Sequence, residues 1–291
     1  DDLVHDLNSK AAYGDHSLGL TILGKEDNLN RMRPEDLRNY MLDCYNIENT
    51  VISLAGNLDD GIIELVEKYF GKFSNHGEAT KYETPVFIGD MVFCEKQTEQ
   101  NHLCLSLPGL SIDDENLYPM ILLNNAIGGG MSSRLFQEIR EKRGLAYSVY
   151  SYHSSHMDSG LFTIYAGTAP KQTEEVLAVT LDVISEIIAC GITESELEKG
   201  KQQLKGSLIL SLESTNSRMN RLGKNELMLG RHDSLDEMIS RIENVQMDQI
   251  NRLIRQIFSK PFAMSMVGQR NSKIESFRRD QLAVYCSDQT N

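Results

Sequence analysis

The 291-residue chain has no apolar run approaching the length of a membrane span, few cysteines and no tract of positive charge. Each shortfall narrows the field. Lysine and arginine number 29 against 42 aspartates and glutamates, a formal net charge of −13. With no basic stretch to offset that balance, nucleic acid and anionic membrane surfaces are disfavoured as partners. The five cysteines, Cys44, Cys94, Cys104, Cys190 and Cys286, are odd in number and include no Cys-x-x-Cys pair. That argues against a disulfide framework and for a reducing, cytoplasmic setting. The chain begins Asp1-Asp2-Leu3, with neither Met nor a signal-peptide pattern, and reads as a fragment or a processed product. No Gly-x-Ser-x-Gly elbow occurs. The stretch Gly19 to Glu26 nearly spells a phosphate-binding loop, but Glu26 stands where a magnesium-binding Ser or Thr is required and would repel phosphate.

What is present is an ordinary globular balance, 40% hydrophobic and 24% charged, with length for two domains or one large one. Leu37, Tyr40, Met41, Cys44 and Tyr45 form an apolar stripe of helical period, and Ile250, Leu253, Ile254, Ile257 and Phe258 repeat it 213 residues later. Each stripe is followed by an apolar strand ending in glycine: Thr50-Val-Ile-Ser-Leu-Ala-Gly56 and Phe262-Ala-Met-Ser-Met-Val-Gly268. Leu29 pairs with Ile242 and Met32 with Val245 at the same offset. A helix–strand–glycine unit matched over some 40 residues predicts a duplicated domain of about 210 residues, of which the first copy is truncated.

The polar, breaker-rich stretch from Ser74 to Pro85 predicts a linker. The expected division is therefore residues 1–75, the last part of the first copy; 76–86, the linker; and 87–291, the second copy. Within the latter, strands are expected at Val92 to Gln97, around Leu103, Leu105 and Leu107, and in a hairpin of Tyr147 to Ser154 with Gly160 to Ala166. A helix is expected from near Pro119, and Thr193 to Glu196 is a capping box opening a long helix. Helices mixed with antiparallel strands, without regular βαβ alternation, predict an α+β fold with a mainly antiparallel sheet packed by helices.

The stretch from Gly128 to Val149 is the most informative: three glycines, a short helix carrying Arg140, a second glycine break at Gly144, and a strand beginning at Tyr147. It sets a cation and a phenol seven residues apart at one turn. Gly128, Gly129 and Gly130 permit positive φ and close backbone approach, which suits a substrate-facing loop or, equally, a simple helix stop. Read alone, Arg140 is as well explained by a polar helix flank and Tyr147 by a strand start.

This stretch resembles the Arg…Tyr segment in the second half of the pitrilysin-like zinc metallopeptidases, the family of insulin-degrading enzyme and the mitochondrial processing peptidases. Leu3-Val-His-Asp-Leu, His16 to Gly24, Pro34-Glu-Asp-Leu, Tyr45 and Val51 to Asn57 resemble the segment that follows that family's zinc-binding helices. The resemblance covers nearly the whole chain and implies the duplicated metallohydrolase fold of the processing-peptidase type. It implies that Arg140 and Tyr147 reach the scissile peptide, hydrogen-bond its carbonyl oxygens and steady developing negative charge.

The family holds its zinc with His-x-x-Glu-His, two histidines on one helical face and a glutamate between them to act as base, plus a later glutamate. No such motif occurs in this chain, and the resemblance places the remaining ligand upstream of Asp1. The equivalent position in the second copy is Ile121-Leu-Leu-Asn124-Asn125, apolar and amide residues in place of ligands. No metal ligands are therefore assigned to this chain, and zinc is expected only in the parent protein. His153-x-x-His156 is set aside because residues three apart on a strand face opposite sides, so a solvated hairpin end is expected. His5, His16, His76, His102 and His232 are scattered, and Cys94 and Cys104 are read as small buried residues on neighbouring strands.

The expected function is that of a zinc endopeptidase fragment, its second domain supplying substrate and transition-state contacts and being inactive alone. The expected partner is an extended peptide, added as a strand to a sheet edge, with either a homodimer mate or the missing N-terminal segment covering apolar surface. Two rivals stand beside this: a non-catalytic family member that is a scaffold or lends Arg140 and Tyr147 to a zinc-bearing chain, and a peptide-binding module in which those residues are structural.

Overall fold

The computed structural model describes residues 2–73 and 82–275; most of the expected linker, His76 and Cys286 lie outside the described residues. In chain order the helices and strands are α1 (Asp2–Tyr13), α2 (Glu26–Leu29), α3 (Pro34–Cys44), α4 (Gly61–Phe70), β1 (Met91–Glu95), β2 (Asn101–Pro108), α5 (Leu117–Ile127), a π-helical turn (Phe136–Glu141), β3 (Ala146–Ser155), β4 (Gly160–Thr168), α6 (Thr173–Cys190), α7 (Glu194–Ser211), α8 (Thr215–Leu229), α9 (Leu235–Glu243), α10 (Met247–Phe258), β5 (Ala263–Gly268) and α11 (Ser272–Glu275). Among the described residues no single helix is long and apolar enough to cross a membrane.

The strands form one five-stranded sheet in the order β1-β5-β2-β4-β3. β1 runs parallel to β5, and the remaining pairings are antiparallel. The mixed helix-and-sheet architecture is the α+β fold expected from the pattern. Cys94 and Cys104 are not on neighbouring strands, because β5 lies between β1 and β2. Successive side chains of a strand face opposite sides, and β2 obeys this. Leu103, Leu105 and Leu107 face the main core, where Phe162 of β4 meets Phe258 of α10 edge-on with ring centroids 6.0 Å apart. That core draws on α5, α6 and α10.

The other face of the sheet carries α1. Ala11 and Ala12 pack there with Leu161 and Ala263, and Val4 packs with Cys104 and Val267, while polar contacts set the register. Ser265 Oγ donates to the Val4 carbonyl at 2.8 Å, Ser106 Oγ donates to Asn8 Oδ1 at 2.8 Å, and His5 Nδ1 lies 3.0 Å from the Tyr152 hydroxyl. Burial lowers the His5 pKa, consistent with a neutral ring there.

By contacts the chain divides into two compact units. One comprises the chain up to Ile22, Thr84–Leu204 and the chain from Ile239; the other comprises Leu23–Glu83 and Lys205–Met238. These units follow contacts, whereas the division at 75 and 87 follows the sequence repeat; in the first unit α1 packs against β1, β2 and β5. In the second unit Ser53 Oγ donates to the Met219 carbonyl at 2.8 Å, tying the two stretches of that unit together.

The strand expected at residues 50–56 does not form; that stretch has no partner strand among the described residues. Its counterpart β5 lies between two neighbours. Gly56 and Gly268, which close the matched segments, nevertheless share an unusual backbone, φ 154° and 148°. A Cβ on Gly268 would meet Asn101 Oδ1 at 2.2 Å, whereas one on Gly56 would meet nothing within 4 Å.

Candidate functional site

The site is built on the connection from α5 to β3. At the C-terminus of α5 the Asn124 carbonyl accepts from both Gly128 and Gly129 N–H at 3.0 Å. The Ser151 N–H of β3 then donates to the Gly128 carbonyl at 3.0 Å. A Cβ on Gly128 would sit 2.5 Å from Ser151 N, and one on Gly129 would sit 2.7 Å from Asn125 Cα, so neither position has room for a side chain. Gly130 is open, with Gln203 Nε2 nearest at 3.9 Å. None of the three takes positive φ; that conformation falls to Gly144, at φ 61°. Close approach, not left-handed backbone, is what this glycine run supplies.

Downstream, Arg134 anchors the chain. Its Nε and Nη2 donate to the two carboxylate oxygens of Glu196 at 2.8 Å each, and Nη2 also donates to the Gly191 carbonyl at 3.1 Å. Glu196 in turn accepts from the Thr193 N–H at 2.7 Å, which is the capping box expected at the start of α7. Burial by itself would raise the Glu196 carboxyl, but the bonds from Arg134 and Thr193 bring it down to about 2. Leu135 and Ile139 are fully buried in the core and seat the inner side of the next turn.

That turn is π-helical rather than α-helical, with the Lys142 N–H reaching back to the Gln137 carbonyl at 3.0 Å. Glu138 pairs with both Lys142 and Arg143, which bring its carboxyl below the ordinary range. Arg140 is left with a different environment: among the described residues no carboxylate pairs with it. Its guanidinium lies 4.6 Å from the centroid of the Tyr147 ring and 4.9 Å from that of Phe136. Nη1 donates to the Tyr147 carbonyl at 2.7 Å. A guanidinium has five N–H donors, and this bond uses one.

Tyr147 sits where the β3–β4 register shifts: Ala146 pairs with Thr168 and Ser148 with Gly167, so Tyr147 is the extra residue of a β-bulge. Bulges re-aim side chains, and this one lies on an edge strand. Tyr147 is 76% exposed. Sequence reasoning singled out Arg140, Tyr147 and the glycines, and the structure brings Arg140 and Tyr147 into contact. It missed Phe136, the π-helical turn and the bulge. Of these only Phe136 carried a sequence signal, its i, i+4 spacing from Arg140.

The remaining candidates resolve differently. His153 is not a solvated hairpin end: its Nε2 accepts the Leu110 N–H at 2.9 Å, and burial pushes its pKa down to about 4. The residues at the position expected for a degenerate metal motif lie on α5, where Asn124 Oδ1 accepts from Ser151 Oγ at 2.7 Å and Asn125 Nδ2 donates to Gln203 Oε1 at 3.3 Å. Among the described residues no group of three or more His, Cys, Asp or Glu side chains is placed to hold a metal ion. Neutral carboxamides do not make a zinc-binding set, so the residues present do not fit the ion.

With the geometry in place, comparison with known proteins is direct. The family model for the peptidase M16 inactive domain matches residues 31–204, more than half of the chain. A Bacillus subtilis protein named as the uncharacterized zinc protease YmxG is 50% identical over 267 residues, covering 92% of this chain and 65% of that protein. An uncharacterized zinc protease of Streptomyces coelicolor is 38% identical, covering 97% of this chain and 63% of its own. The chain therefore spans about two thirds of the length of the curated relatives it matches. Among solved structures, a peptidase M16 inactive domain from Pseudomonas fluorescens superposes with a TM-score of 0.84 at 24% identity, over 92% of this chain and 65% of that one. A chain of Complex III2 from Candida albicans gives 0.83 at 18% identity, over 98% and 70%. The latter two show the fold. The family match and the glycine–Arg140–Tyr147 segment together settle the kinship: the chain belongs to the M16 peptidase family and carries its inactive domain.

Proposed function

We propose that this chain is the substrate-contacting part of a zinc-dependent endopeptidase, in which Arg140 and Tyr147 contact the carbonyl oxygens of an extended peptide. One observation carries the reading: a guanidinium with no carboxylate partner among the described residues is held against an exposed phenol on a bulged edge strand. An ordinary surface arginine has no need of such a setting. Donors held at fixed positions stabilise charge that develops on a carbonyl oxygen, because no reorganisation is needed when it appears. Bound zinc supplies such enzymes with an activated water and a polarised carbonyl; none of that chemistry is assigned to residues of this chain. The names of the relatives support a zinc peptidase as parent. A peptide partner and a reducing, cytoplasmic location belong to the same proposal, the latter supported by the free thiols of Cys44, Cys94, Cys104 and Cys190.

The test is elemental analysis and peptide turnover on the full-length protein. About one zinc per chain, with turnover lowered at least tenfold but still measurable in Arg140→Ala and reduced in Tyr147→Phe, supports the reading. Absence of zinc from the full-length protein defeats it in favour of a non-catalytic scaffold or lending subunit. Zinc and turnover present but unmoved by either substitution would make the pair structural.

A further inference from the structure

Arg140 is the group that the proposed function asks most of, and its position is not explained by Tyr147 alone. Tyr147 is 76% exposed and is itself the unpaired residue of a bulge. The Nη1 bond to the Tyr147 carbonyl ties one end of the guanidinium but does not by itself set its plane. An arginine side chain has many rotamers to lose, and holding its plane requires a wall seated in the fold. The half-buried ring of Phe136 provides one. It lies four residues before Arg140 in the same π-helical turn, with the guanidinium carbon 4.9 Å from its centroid.

The turn carrying Phe136 is itself held from several sides. Arg134 is locked bidentately to Glu196 at its start. Leu135 and Ile139, on either side of Phe136, are fully buried. The Leu145 N–H closes the segment onto the Ile139 carbonyl at 2.9 Å. Phe136 thus stands on the fixed side of the arrangement and Tyr147 on the open side. Attraction between a cation and a ring face operates within about 6 Å, and both rings satisfy it.

We propose that Phe136 is a positioning residue that holds the Arg140 guanidinium in place for substrate by presenting its ring face to it. This rests on the reading of Arg140 as a substrate contact. Phe136→Leu removes the face while keeping apolar bulk; Phe136→Tyr keeps the face.

The experiment uses full-length protein labelled in arginine side chains, with the Arg140 resonances identified by their absence in Arg140→Lys. Relaxation of the Arg140 Nε–H should report a loss of side-chain order in Phe136→Leu and none in Phe136→Tyr. Peptide kcat/KM should fall about two- to fivefold in Phe136→Leu, the range a cation–ring contact near the surface represents. It should be kept in Phe136→Tyr, with zinc content equal in all variants. In an Arg140→Ala background, Phe136→Leu should cost nothing further. Unchanged Arg140 side-chain order in Phe136→Leu, or a loss of turnover that persists without Arg140, would overturn the proposal. If Arg140→Ala itself leaves turnover intact, the proposed function fails instead, and the side-chain order alone decides whether Phe136 holds Arg140.

Discussion

The Arg140 guanidinium stacks over the Tyr147 ring at 4.6 Å and at the same time donates Nη1 to the Tyr147 carbonyl at 2.7 Å. One residue thus meets the other twice, through its side chain and through its backbone. The contact is possible because the π-helical turn and the Gly144 turn, at φ 61°, bring the chain back on itself within seven residues. It couples the cation to the bulge that aims the phenol.

Lysine should not replace Arg140. An ammonium keeps the charge but lacks the plane that stacks and the fork that serves Tyr147 and a substrate oxygen together. Arg140→Lys in the full-length protein is expected to lower peptide kcat/KM by at least tenfold, of the order seen when one stabilising donor is lost. Steady-state kinetics with a quenched peptide checks this, and activity near the wild type would show that charge alone suffices.

His153 should make stability fall in mild acid. Burial holds its pKa at about 4, below the 6.5 of an unfolded histidine. The unfolded chain therefore binds the extra proton first. The contribution is complete above pH 6.5 and is lost as pH falls from 6.5 toward 4. After allowance for partial exposure it is worth about 2–3 kcal/mol. His5 and His102, both lowered by burial, act in the same direction. Urea unfolding at pH 7.5 and pH 4.5 should show a smaller difference for His153→Gln than for the wild type; equal differences would place the titration elsewhere.

The Arg134–Glu196 pair acts at the other end of the scale. Its carboxyl, at about 2 in the folded protein against 4.5 when unfolded, stabilises fully above pH 4.5 and loses that contribution as pH falls toward 2. Both side chains are largely shielded, so the screening that weakens surface pairs is reduced. Glu196→Gln should cost about 1–3 kcal/mol at pH 7, because it leaves the guanidinium short of a charged partner and weakens the cap of α7. Chemical denaturation measures this, and a cost below about 0.5 kcal/mol would mean the pair is exchanged for water without loss.

Much of this architecture was legible because it rests on local pattern. The alternation of Leu103, Leu105 and Leu107 gave β2, and the Thr193–Glu196 box gave the start of α7. What escaped was what depends on distant residues. Arg134 and Glu196 lie 62 positions apart, and no local signal joins them. The polar layer that binds α1 to the sheet uses Ser106, Thr163 and Ser265, which read as unremarkable strand positions. Residues 50–56 carry the pattern of a strand without its neighbours, and pattern alone cannot report a missing neighbour.

The same dependence separates the two matched helices, α3 and α10. Ile250 is fully buried and Leu37, its counterpart 213 residues earlier, is 55% exposed. Tyr40 and Met41 of α3 are likewise exposed, whereas Leu253 and Ile254 of α10 are buried in the main core. Equal sequence patterns therefore carry unequal energies. Ile250→Ala should cost about 2–5 kcal/mol, the transfer term plus the cavity left behind. Leu37→Ala should stay within about 0.5 kcal/mol, as expected where little surface is removed from water. Denaturation of the two variants in this chain decides the matter. Comparable costs would mean that α3 is covered in solution, by a second copy of the chain or otherwise, and repeating the measurement across a hundredfold range of protein concentration would separate those cases, since only association makes the cost of Leu37→Ala depend on concentration.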